Sequence, residues 1–220
     1  GASFSYGGRL LNWPRPAEGM DGYSGMDGGR PYLKYASDGR ETIHFITTED
    51  HPRAFDNSIY HGFIRGGEVF RSDGSLLGAL SPDPESGVAV GSLTRVFQGD
   101  PENVAWTMDL ELDEQGRPCA LFSIQKDSSG WKARSGRGGL DHRYGYARWD
   151  GKTWQVHEMA FAGTRLYAGE DDYTGLAVLD PRSLDTVYIS TNADPVTGEP
   201  LISGLDGERH REIFRGKTPD

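Results

Sequence analysis

Helical periodicity is nearly absent from this chain. Strand alternation broken by Gly, Asp, Asn and Pro runs from about Pro31 to the end. That pattern restricts the fold to antiparallel sheets joined by tight turns. Residues 32–36 and 42–48 flank the turn Ser37-Asp-Gly-Arg40, and residues 58–65 and 68–71 flank Gly66-Gly67, a strong hairpin signal. Ser72-Asp-Gly-Ser75 is a further turn, so a four-strand meander is expected from about Arg30 to Leu80. Residues 81–102, rich in Pro, Gly, Asp and Ser, read as a connection. In the second meander, residues 107–112 and 118–125 flank Asp113-Glu-Gln-Gly-Arg117, and 143–149 and 153–160 flank Asp150-Gly151. A third starts at 176–179, turns at Asp180-Pro-Arg-Ser183, continues at 186–191 and takes 209–215 as its next strand.

Repeated meanders of this length are the signature of β-propeller blades. The expected fold is all-β, with four-stranded antiparallel blades forming a partial propeller of about three to four blades. It is read as one region, 1–220: 1–29 a loop or remnant blade, 30–80 and 103–162 blades, and 173–220 a partial blade. Unclosed blades leave exposed edges, so the missing blades of a longer chain count among the expected partners. Trp149-Asp-Gly-Lys-Thr-Trp154 lacks one residue of a sialidase-type Asp-box and reads as a blade hairpin with packed tryptophans.

Charge narrows the partners. The formal net charge is −10, which argues against nucleic acid or an anionic membrane surface. No apolar run is long enough to span a bilayer. The one cysteine, Cys119, can form no internal disulfide and reads as a small core residue in a strand. Patterns for serine hydrolases, nucleotide binding and zinc are missing. No cofactor is expected, and Glu170-Asp-Asp172 offers at most a weak structural calcium site.

Chemistry concentrates in Thr47-Thr-Glu-Asp-His-Pro-Arg-Ala-Phe-Asp-Asn-Ser-Ile-Tyr-His-Gly-Phe63. His51 precedes Pro52, which favours a strand end. His61 shares a strand face with Ile59 and Phe63, and His44 lies on the opposite face. A second set is sharper. Alternation puts His142, Tyr144, Tyr146 and Arg148 on one face, which must line a wet channel or form a polar network between blades. Arg165 lies in a loop, and Arg209, His210 and Arg211 form a basic cluster in an acidic chain.

Three segments together resemble the BNR-4 repeat family, which borders on seven-bladed polysaccharide lyases of the ulvan-lyase type and related rhamnosidases. They are Arg30-Pro-Tyr-Leu-Lys-Tyr through Phe63, His142-Arg-Tyr-Gly-Tyr-Ala-Arg-Trp-Asp-Gly151, and Tyr173-Thr-Gly-Leu through Gly216. The resemblance implies a secreted or periplasmic bacterial propeller with its site at the channel mouth. It also implies an anionic, uronate-containing polysaccharide as substrate, cleaved by β-elimination. On that reading His51, His61 and Tyr144 supply acid–base chemistry, and Arg165 neutralises the carboxylate. Asn57, His142, Tyr146, Arg148, Arg209 and Arg211 bind substrate. Two alternatives stand beside it. One is a glycoside hydrolase drawing on Glu49, Asp50, Glu170 and Asp171. The other is a non-catalytic glycan-binding propeller with stacking surfaces such as Trp13 and Trp106.

Overall fold

Turn chemistry decides where each strand ends. Gly66 and Gly67 both have positive φ, 58° and 81°, which makes the tight hairpin turn their sequence announces. Elsewhere an aspartate opens the turn. Asp38 Oδ1 accepts the N–H groups of Arg40, Glu41 and Thr42. Asp113, Asp150 and Asp194 do the same in their own turns. Backbone hydrogen bonds hold the Asp38 and Asp150 carboxyls down to about 2. Part of the negative charge therefore builds hairpins and is not displayed toward a ligand.

The computed structural model describes residues 2–12, 31–83, 86–129, 138–203 and 210–219. In chain order its strands are β1 (Leu11–Asn12), β2 (Leu33–Ser37), β3 (Thr42–Thr47), β4 (Ile59–Arg65), β5 (Glu68–Arg71), β6 (Leu76–Ala79), β7 (Val88–Ala89), β8 (Thr94–Phe97), β9 (Val104–Leu112), β10 (Pro118–Gln125), β11 (His142–Trp149), β12 (Trp154–Gly163), β13 (Ala177–Asp180), β14 (Ser183–Thr191) and β15 (Glu212–Lys217). Strands β2 to β6 form the first antiparallel sheet, β9 to β12 the second and β13 to β15 the third. The protein is all-β, and its successive sheets are compatible with the blades of a partial propeller.

Two expectations need correction. The first meander has five consecutive strands, because the chain after Ser72–Ser75 pairs again as β6. Residues 81–102 are more than a connection. They contain β7, which pairs in parallel with β1, and β8, which pairs with the first half of β4. These pairings are long-range, so local turn signals cannot reveal them.

The sheets stack face to face. Strand β10 is buried along its whole length. Its Ala120, Phe122 and Ile124 pack with Ile46, Ile59 and Val96 of the first sheet. Cys119 and Leu121 face the other way, toward Leu179, Val187 and Ile189 of the third. On β11, Gly145 lies opposite Phe122, and a Cβ there would collide with the phenyl ring. The outer face of the first sheet, with Phe45, Tyr60 and Val69, is covered by Leu10, Leu11, Val88, Val90 and Leu93. On the third sheet, by contrast, Leu176, Val178 and Ile213 are exposed. Polar side chains tie the stack at its inner strands. Thr107 Oγ1 of β9 donates to the Tyr32 carbonyl at 3.3 Å, and Asp109 Oδ2 accepts the Leu179 N–H at 2.8 Å.

Candidate functional site

The leading strand of each sheet brings one aromatic residue to a common place. Tyr32 precedes β2, Trp106 is near the start of β9, and Tyr173 lies ahead of β13. Ring centroids are 5.0 Å apart for Tyr32 and Trp106, and 4.7 Å for Trp106 and Tyr173. His51 completes the group, 5.5 Å from Tyr32, 5.2 Å from Trp106 and 6.2 Å from Tyr173. A cleft of about 220 Å³ opens beside the rings, lined by Tyr32, Lys34, Trp106, Met108, Tyr173 and Leu176 among others.

The loop carrying His51 is pinned by its own polar groups. Asn57 closes it from inside: Oδ1 accepts the Asp50 N–H at 3.0 Å, and Nδ2 donates to the Asp50 carbonyl at 2.6 Å. Glu49 accepts the Ser58 N–H and the Tyr60 hydroxyl. The His51 N–H goes to Asp50 Oδ1. Asn57 is fully buried and acts on the backbone, not on a ligand.

His51 Nδ1 accepts the Arg53 N–H at 3.0 Å, which puts the proton of the neutral ring on Nε2. Asp172 Oδ2 lies 3.6 Å from the same Nδ1. Arg53 reaches across to Asp172 at 3.2 Å and Glu170 at 3.1 Å. Arg165 takes Asp171 at 3.0 Å and the Gly138 carbonyl at 2.8 Å. The acidic triplet is thus spent on two arginines, with Asp171 and Asp172 buried. Among the described residues, no cluster of three or more His, Cys, Asp or Glu groups is arranged to hold a metal. Burial, with smaller effects from Tyr32, Asp172 and Glu170, raises the Tyr173 phenol.

Other expected site residues lie elsewhere. His61 is enclosed between the first two sheets. Its Nε2 meets His44 Nδ1 at 3.1 Å, and its Nδ1 meets Ser72 Oγ at 2.8 Å. The Trp154 indole of β12 donates to the same Ser72 oxygen at 3.0 Å. Burial drives the His61 imidazole well below its ordinary range, so it is a poor base.

The His142/Tyr144/Tyr146/Arg148 face forms the inter-sheet network, not a wet channel. Tyr144 and Tyr146 are buried against the third sheet. The Tyr144 hydroxyl donates to the Ser190 carbonyl at 2.7 Å, and Tyr146 to Cys119 Sγ at 3.7 Å. His142 Nε2 donates to the Asp171 carbonyl at 2.8 Å. Arg148 binds Asp113 at the far end of the strand. Strand alternation told which way these side chains point; it could not tell that another sheet lies there.

Arg211 is turned inward onto backbone carbonyls and does not meet the cleft as a free cation. Arg209 and Trp13 lie outside the described residues. Sequence reasoning missed Tyr32, Lys34 and Tyr173 as site residues. The available signal was an aromatic residue next to the first strand of each meander.

No family model and no curated protein matches the chain. Two solved structures of an ulvan lyase of polysaccharide lyase family PL25, one bound to a saccharide of GlcA and Rha3S, are similar to it at 15% identity and a TM-score of 0.49. The alignment covers 84% of this chain, which spans 43% of the length of that protein.

Proposed function

We propose that the Tyr32–Trp106–Tyr173 cleft binds an anionic polysaccharide, with His51 as its hydrogen-bonding and acid–base group. The observation that carries this is the convergence of three aromatic rings from separate sheets on one cleft, with the His51 imidazole packed against all three. Flat rings stack on the C–H faces of sugars, and a concave aromatic site with few polar groups is the usual form of a ligand pocket. Lys34 on the wall supplies positive charge in an acidic protein. With its proton on Nε2, neutral His51 donates to a sugar oxygen.

A second reading is β-elimination beside a uronate, favoured by the His51–Asp172 pair. This reading needs the opposite tautomer: Nδ1 gives up the Arg53 N–H, carries the proton and turns it to Asp172, and Nε2 becomes the base that takes the C5 proton. The Tyr173 phenol, kept protonated, then donates to the leaving oxygen, and Lys34 meets the carboxylate as charge develops.

Titration calorimetry against ulvan, other uronate polysaccharides and a neutral glucan tests both readings. Wild-type protein should bind the acidic polymers, and Trp106→Ala should weaken that binding by about tenfold or more. No binding to any acidic polymer would sink the proposal. Elimination adds ultraviolet absorbance from a new C4–C5 double bond, and His51→Ala should abolish that signal while binding is largely kept.

A further inference from the structure

Arg211, just ahead of β15, carries a charge with an unusual set of partners. Its guanidinium donates to the carbonyls of Ala162 at 3.1 Å and Ser190 at 3.2 Å, to the Thr164 carbonyl, and to Thr174 Oγ1 at 3.5 Å. All of these oxygens are neutral. Burial lowers its pKa, so the site is costly for a cation and needs these acceptors in place. They belong to three segments: the end of β12, the end of β14, and the 173–176 loop that forms one wall of the cleft.

Tyr144 acts on the same point from β11. Its hydroxyl donates to Ser190 O at 2.7 Å and lies 3.3 Å from Leu176 O. Gly175 sits between the two side chains. A Cβ there would lie 2.7 Å from both Arg211 Nη1 and the Tyr144 oxygen, and would collide with Ser190 O. Thr174 Oγ1 bonds back to Ala162 O at 3.2 Å, and the Ser190 N–H goes to Leu176 O at 2.9 Å. The residue entering this clamp is Tyr173, whose ring packs on Trp106.

We propose that Arg211 and Tyr144 are positioning residues: they clamp Thr174-Gly175-Leu176 to β12 and β14 and so hold Tyr173 against Trp106. Neither touches the ligand. The role rests on the cleft being the binding site, yet the clamp itself can be tested without any ligand.

The protein is labelled with 5-fluorotryptophan, and its fluorine spectrum is recorded for wild type, Tyr144→Phe and Arg211→Lys. Trp106→Phe identifies the Trp106 line. Both clamp variants should move the Trp106 line and leave those of Trp149 and Trp154 in place. Their affinity for an acidic polysaccharide should fall by about tenfold, as expected when a preorganised wall is released. Tyr144→Phe keeps the buried ring and so supplies the test if Arg211→Lys does not fold. An unmoved Trp106 line overturns the clamp, as does a general shift of all lines with affinity retained. A moved Trp106 line in a protein that binds no polysaccharide upholds the clamp and removes only the functional reading.

Discussion

On acidification from near pH 7.5 to about pH 4.5, the urea midpoint should fall steeply, because buried imidazoles refuse protons that the unfolded chain accepts. Burial lowers His142 to about 4, against an ordinary value of 6.5. Its Nε2–H is committed to the Asp171 carbonyl, and its Nδ1 is buried with no partner among the described residues, so a second proton finds no acceptor among them. The stability held by this residue is complete above the unfolded value, is lost as pH falls from about 6.5 to about 4, and stays lost below that. It amounts to roughly 3 kcal/mol for His142 alone.

His44 and His61 add to the loss over the same range. Burial lowers His44 to about 4, with Asp38 opposing and Arg65 reinforcing the effect, and His61 lies well below its ordinary value. The Trp154 indole donates to Ser72 Oγ, and the same oxygen meets His61 Nδ1. In either tautomer of His61, the contact between its Nε2 and His44 Nδ1 holds one proton. A second proton there would set two N–H groups against each other. Urea titrations across this range measure the slope, and His142→Gln should flatten it. Equal midpoints at both ends of the range would show that the imidazoles are not enclosed as described.

The second large effect lies at the Phe122–Gly145 pair in the centre of the stack. Phe122→Ala opens a cavity between two packed sheets and should cost about 3–5 kcal/mol. Gly145→Ala drives a methyl group into the same ring and should cost about 1–3 kcal/mol. The double variant gives the sharper result. Once the ring is gone the methyl group has room, so the two losses should not add; the pair should recover about 1 kcal/mol or more relative to their sum. Strict additivity in a double-mutant cycle from urea unfolding would show that the ring does not sit on Gly145.

Local and distant information divide cleanly along this chain. Gly66-Gly67 and the turn aspartates act within a few residues, so the hairpins they close are readable from the sequence. The pairing of β8 with β4, and of β1 with β7, depends on segments that meet only after the sheets form. The site shows the same division. His51 is readable as a strand-end histidine before Pro52, but its neighbours Trp106 and Tyr173 come from other sheets. Tyr144 marks the limit of alternation. Its direction is correct, and what it meets is a carbonyl of the third sheet.

The coverage of the two outer faces gives the stack a polarity. Leu10, Leu11 and the 88–93 segment seal the first sheet, while Leu176, Val178 and Ile213 stay bare on the third. The two ends of the stack therefore differ in kind: one sheet ends in packed apolar side chains and the other in exposed ones.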